Sequence, residues 1–464
     1  MSESASPADP SLAANRTPRV VLPVEKYVLP NGLEVILHEE PRTPVVAVNI
    51  WYHVGAKDEG PGRSGFAHLF EHVMFQGSRN VGEDKFFQYL ERAGASDRNG
   101  STNFDRTNYF ETVPIGELAL VLWLESDRMG YLLDHANETT FHEQREVVKN
   151  ERRQRIENAP CGFVGHFIYD VLFPLGHPYH FPVVGLPADL DAANIEDVRS
   201  FFRRYYVPNN ATLVIAGHFQ ADKAKELVSK YFGSLPRGAD PGVIRGPLAP
   251  PPLTRQIRLD VQADVMLPRL VINWVTPQHY ARGDAELDII SDILSAGRSS
   301  RLYKRLVYEL QVAQSVSAVQ ASSELASVFE ICVNLLQNQS IEHALAIVDE
   351  ELDALRTNAP TSAEVERART RSLTGLIFGA EKVTGRADAF NLYNRRAGDP
   401  AYFAKDIQRY ENVGASDASR AVATYLRRDN RVVTFVHPTP HAPRAGRLAD
   451  QSPDKPSAGT VRHG

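Results

Sequence analysis

The sequence predicts an α+β protein of two duplicated domains, each a largely antiparallel sheet with helices covering one face. Three observations carry this expectation. Strand-like β-branched runs and helix-like apolar periods are mixed in both halves, without the regular alternation of βαβ units. The halves also echo one another. Pro208-Asn209-Asn210-Ala211-Thr212-Leu213-Val214-Ile215 is matched by Arg428-Asp429-Asn430-Arg431-Val432-Val433-Thr434-Phe435, and Ala211 falls on Arg431 at an offset of 220. A period that long marks a duplicated domain, because solenoid repeats are far shorter. Finally, residues 235–254 are rich in Pro and Gly and follow neither period, which is a linker composition. The expected boundaries are a disordered leader at 1–20, domains at 21–234 and 255–438 on either side of that linker, and a disordered tail at 439–464.

In the first domain, residues 27–37 read as a hairpin, because Asn31-Gly32 sits between apolar flanks. Residues 45–52 are a β-branched run suited to a central strand. A helix over 64–77 follows, then a second over 83–93 closed by Gly94. Residues 101–113 carry strand formers, and 118–133 form a long helix with Trp123 and Leu124 on its apolar side. The helix over 141–156 is heavily charged, as a solvated face would be. A helix at 195–206, a strand at 211–217 and a helix at 223–232 complete the unit.

With 464 residues, 43% hydrophobic and 23% charged, the chain has the composition of a globular protein with a substantial core. A net charge of −6 without a basic block points away from nucleic acid and anionic membranes. Two cysteines, Cys161 and Cys332, are too few for a disulfide framework or a Cys-ligated metal, which fits a reducing compartment. No window reaches the ~18 consecutive apolar residues of a membrane span, and the first twenty residues lack a signal-like apolar core. A cytoplasmic location is expected, or a periplasmic or organellar one if the start is processed or misplaced.

The stretch from Ser64 to Gly77 holds the most informative chemistry. Ser64 is a plausible N-cap and Gly77 a plausible C′ residue of a helix that is apolar nearly all round. His68 and His72, four apart, share one face, and Glu71 lies on the same side. Three ionisable groups on a buried face need partners. A divalent metal such as zinc would supply them, with two neutral imidazoles as ligands and the carboxylate facing a bound water. The competing reading is two hydrogen-bonded core histidines beside a solvated Glu. At the 220 offset the second domain has Asp288, Ser291 and Asp292 instead, so the metal chemistry is expected in the first domain only.

His-x-x-Glu-His reverses the thermolysin-type order and is the inverzincin signature. With it, the chain resembles the insulinase/pitrilysin/mitochondrial-processing-peptidase family of zinc metallopeptidases over nearly all its ordered length. That resemblance implies one Zn2+ per chain and a third ligand at the end of a Val-Val-x-x-Glu run. Val147-Val148-Lys149-Asn150-Glu151 matches, so Glu151, 79 after His72, takes that role ahead of Glu143 and Glu146. Relatives carry an acid seven residues before this ligand, where this chain has Gln144, which alters the surroundings of the metal. Glu71 would be the general base. Substrate, a peptide or unfolded polypeptide, would add as a strand on a sheet edge. Asn99 of Asn99-Gly100-Ser101-Thr102 would bind its backbone, the alternative being an ordinary Asn-Gly turn.

The family's second domain supplies an Arg and a Tyr seven apart for the oxyanion. In this register Val307 and Gln314 replace them. The expectation is therefore a zinc endopeptidase acting as the catalytic subunit of a heterodimer, or larger assembly, whose partner carries the Arg/Tyr pair. The alternatives are a non-catalytic core subunit of the same fold, or a zinc site that hydrolyses some other bond.

Overall fold

The computed structural model describes residues 20–246 and 248–449. The first sheet contains β1 (Glu25–Val28), β2 (Glu34–Glu39), β3 (Val45–Tyr52), β4 (Ser96–Thr102), β5 (Thr107–Pro114) and β6 (Ala211–Gly217), in the order β1-β2-β6-β3-β5-β4. The second contains β7 (Ile257–Ala263), β8 (Arg269–Thr276), β9 (Ala313–Ala321), β10 (Ser327–Leu335), β11 (Val432–Pro438) and β12 (Arg447–Leu448), in the order β12-β7-β11-β8-β10-β9. The orders superimpose strand for strand. In each sheet one pairing is parallel, β2 with β6 and β7 with β11, and the others are antiparallel. Two mixed-sheet α+β domains are present.

Helices of the first half are α1 (Phe66–Val73), α2 (Lys85–Arg92), α3 (Leu118–Tyr131), α4 (Glu138–Arg152), α5 (Val164–Leu172), α6 (Pro187–Ala192), α7 (Ile195–Tyr205) and α8 (Ala221–Phe232). Those of the second are α9 (Asp284–Ser295), α10 (Ile341–Thr357), α11 (Ser362–Gly379), α12 (Val383–Ala397), α13 (Phe403–Glu411) and α14 (Ala415–Tyr425). No helix or strand occupies the described residues between Phe232 and Ile257.

The expectation of helices on one face only is corrected. Alternation along β6 sends Leu213 and Ile215 to the main core of the first half and Val214 and Ala216 to the opposite face. There Val214 and Ala216 meet Val383, Ala387 and Phe390 of α12, which comes from the second half. The exchange is reciprocal. Val164, Ile168 and Leu172 of α5 pack with Val261, Val271, Val432 and Val436 on the second sheet. Both central strands are therefore buried on two faces, which accounts for their near-continuous apolar runs.

Buried charges also tie the halves together. Arg396 pairs with Asp105 at 2.6 Å, and Lys57 with Glu324 at 3.7 Å. Tyr179 donates to the other Asp105 oxygen at 2.5 Å. Burying these charges without partners would be costly, and each has one.

The tail needs a second correction. Residues 439–449 are packed rather than disordered: β12 pairs antiparallel with β7, and the Arg444 and Ala445 carbonyls accept from the Cys161 and Phe163 N–H groups. Residues 1–19 and 450–464, which hold the rest of the expected leader and tail, lie outside the described residues.

In α9, at the place of the histidine helix, Tyr410 donates to Asp288 at 2.7 Å, and burial pushes that carboxyl up to about 7. This position offers no imidazole pair.

Candidate metal centre

Helix α1 is short, and glycines set its start. Gly65 has φ +86, and a Cβ there would approach Gly185 Cα to 2.7 Å, so two glycines let the 184–185 segment close over the helix entry. Ser64 is not the cap. Its hydroxyl donates to Asp189 at 2.5 Å and accepts from the Leu186 N–H at 2.9 Å. Glu59 caps in its place, accepting from the Gly65 and Ala67 N–H groups at 2.9 and 2.7 Å. A side-chain oxygen at a helix N-terminus satisfies orphan N–H donors. At the other end the helix stops at Val73, a further turn runs through Gln76, and Gly77 (φ +121) follows that turn, not the helix itself.

Helix α4 brings the distant acid. Asn137 caps it through Thr140 N, and the fully buried Val148 fixes its rotation while Val147 remains exposed. Arg152 donates to the Gly185 carbonyl at 2.9 Å, tying α4 to the segment that closes over α1. Beyond Arg152 the helix widens into a π-turn over Arg153–Glu157, a distortion frequent at functional sites.

The result is a convergence of His68, His72 and Glu151. Glu151 Oε2 lies 3.6 Å from His68 Nε2 and 3.3 Å from His72 Nε2. All three donor atoms lie within 4.8 Å of one another, and the two rings are nearly perpendicular at 87°. Donors about 2.0–2.1 Å from one tetrahedral centre sit roughly 3.3 Å apart, so the chemistry and spacing of this set fit zinc. Burial, with His72 adding to it, holds His68 down to about 4, and burial also lowers His72. Both rings are therefore neutral near pH 7, the form that can ligate a metal. His68 Nδ1 is buried and has no hydrogen-bond partner among the described residues. The other Glu151 oxygen is held by Arg155 at 2.6 Å.

Glu71 stands beside this cluster without joining it. Its Oε2 accepts from the Thr102 hydroxyl at 2.6 Å, and burial pushes its carboxyl up to about 6. Thr102 ends β4, so α1 rests on the edge of the first sheet. Gly100 provides the room, since a Cβ there would lie 3.1 Å from Glu71 Cγ.

β4 pairs only with β5 among the described strands, leaving its other edge free beside Glu71. Asn99 is in this strand, not in a turn, and is exposed. Its Oδ1 accepts from the Gly100 N–H at 2.9 Å. Gln144 is half-buried on α4, and its side chain makes no hydrogen bond among the described residues. Glu143 and Glu146 are exposed on the same helix, and Glu146 pairs with Lys149 instead. Val307 packs against the core of the second half, and Gln314 is exposed at the start of β9.

Two contributors escaped sequence reasoning. Thr102 reaches Glu71 across 31 residues, and no spacing rule marks that contact. Arg155 could have been found as an i,i+4 partner of Glu151.

Known proteins share this organisation. The family model described as "Insulinase (Peptidase family M16)" matches residues 34–159, the segment holding His68, Glu71, His72 and Glu151. The one described as "Peptidase M16 inactive domain" matches residues 192–372. A zinc protease from Helicobacter pylori, PqqE, is 28% identical over 418 residues, which is 89% of this chain and 93% of the relative. The crystal structure of a protease from the same organism superimposes with a TM-score of 0.84 at 27% identity, over 90% of this chain and 100% of that one. The mitochondrial-processing peptidase subunit beta of Lentinula edodes is 22% identical over 87% of each chain. Models of one family match both halves, and relatives named zinc proteases match nearly the whole length, so the chain is similar throughout to the M16, insulinase-like, peptidases.

Proposed function

We propose that this chain is a zinc-dependent endopeptidase that hydrolyses peptides or unfolded polypeptides as the catalytic subunit of a heterodimer. The observation that carries the reading is the convergence of His68, His72 and Glu151 beside a separately anchored Glu71. His68, His72 and Glu151 would hold the ion. When bound, zinc supplies Lewis acidity, lowering the pKa of water and polarising a carbonyl.

The chain's own residues do the rest. Glu71, with Oε2 engaged by Thr102, keeps Oε1 free to take a proton from the attacking water and pass it to the leaving amine. The β4 edge offers unpaired N–H and C=O groups, which fit an extended peptide whatever its sequence. Asn99 would add a side-chain contact to that peptide by releasing its own Gly100 N–H. With Val307 and Gln314 at the register of the Arg/Tyr pair, oxyanion stabilisation falls to a related partner subunit. The processing-peptidase relative is itself named as a subunit. No described helix is long and apolar enough to cross a membrane.

Hydrolysis of an unfolded polypeptide by the assembled enzyme should fall to background on chelation and return with stoichiometric zinc. Hydrolysis that survives complete chelation would contradict the proposal. A non-catalytic core subunit of the same fold would show no hydrolysis under any of these conditions.

A further inference from the structure

A recess of about 350 Å³ lies away from the metal centre, between the β1–β2 hairpin, the interdomain segment and α12. Three arginines line it: Arg237 and Arg245 from the interdomain segment, and Arg395 from α12. Glu34 is the acid in its wall, and Lys26 already neutralises it at 2.8 Å, while Asn394 donates to its other oxygen at 2.6 Å. Arg395 has Glu324 as its counterion. Arg237 and Arg245 form neither an ion pair nor a hydrogen bond within the described structure, which leaves two uncompensated guanidinium charges facing one recess.

Arg237 is held in place although it is exposed. Its guanidinium lies over the backbone of Gly32 (φ +92), where a Cβ would collide with it. The wall also carries His53, whose Nε2 meets Thr212 Oγ1 at 2.9 Å while Nδ1 has no hydrogen-bond partner among the described residues. Burial, together with the positive field of Arg395 and Arg245, keeps that ring neutral. Like charges gathered in one recess repel each other unless an anion joins them, and planar guanidinium forks suit the oxygens of a phosphate.

We infer that this recess binds a dianion of the phosphate class, either free phosphate or the phosphate group of an ester. Two unpaired guanidinium groups match the double charge, and the volume is within the range of small-ligand pockets. The ligand would link the interdomain segment to α12 and the first sheet, at the junction of the two halves. This inference is independent of the proposed peptidase activity.

Calorimetric titration of inorganic phosphate into the full chain, at mildly alkaline pH and matched chloride ionic strength, tests it. The wild type should show one saturable site. The double variant Arg237→Ala/Arg245→Ala should bind on the order of tenfold more weakly or worse, with an unchanged melting temperature in chloride, because neither side chain has a partner to lose. A parallel titration with adenosine monophosphate distinguishes the sources: tighter binding than phosphate identifies an ester, and weaker binding identifies the free ion. No saturable phosphate binding by the wild type, or undiminished binding by the double variant, would overturn the assignment.

Discussion

Glu71→Gln should retain zinc and lower the turnover of an unfolded polypeptide by on the order of 10²–10⁴-fold, the range of positioned general bases. The substitution is nearly isosteric. The Thr102 hydroxyl can still donate to the amide oxygen, and the Gly100 contact at Cγ is untouched. What is lost is the capacity to accept a proton. Zinc should remain because Glu71 is not among the three converging donors. Steady-state kinetics should place the loss in kcat with KM little changed, the mark of an interaction made in the transition state. Turnover that survives intact would remove Glu71 from the mechanism, and a simultaneous loss of zinc would make it a ligand.

The second large effect concerns the partner. The purified chain alone should hydrolyse peptides poorly, and a related subunit carrying the Arg/Tyr pair should raise kcat by on the order of 10²–10³-fold, the effect of one oxyanion donor. Within this chain, Val307 is packed against the second-half core and Gln314 sits exposed at the start of β9, and neither offers a cation. Full activity of the chain by itself would refute the heterodimer.

How far the sequence disclosed all this depended on the range of each interaction. His68, Glu71 and His72 were legible because helical spacing alone places them on one side. The convergence of Glu151 on them comes from α4 packing against α1, a tertiary event without local signature, and only the valine run of a known family pointed to it. Thr102 was invisible for the same reason. Ser64 misled because a serine before an apolar helix is an N-cap by local rules, whereas Asp189 and Leu186 engage its hydroxyl and Glu59 takes the cap. Val383, Ala387 and Phe390 sit at i, i+4 and i+7 and announce a helix face, but nothing local says that the face belongs on the other half's sheet. β12 is a two-residue strand, too short to carry a period, and so residues 439–449 read as tail.

The phosphate recess follows the same logic. Arg395 is distant in sequence from Arg237 and Arg245, and it shares a wall with them only because α12 crosses to the first sheet.

Metal content tests the central claim most directly. The purified chain, measured by inductively coupled plasma mass spectrometry, should carry about one zinc, and His72→Ala and Glu151→Ala should each lose it while Glu71→Gln keeps it. A zinc-free wild type that cannot be reconstituted, or full zinc occupancy in both ligand variants, would contradict a metal centre at His68, His72 and Glu151.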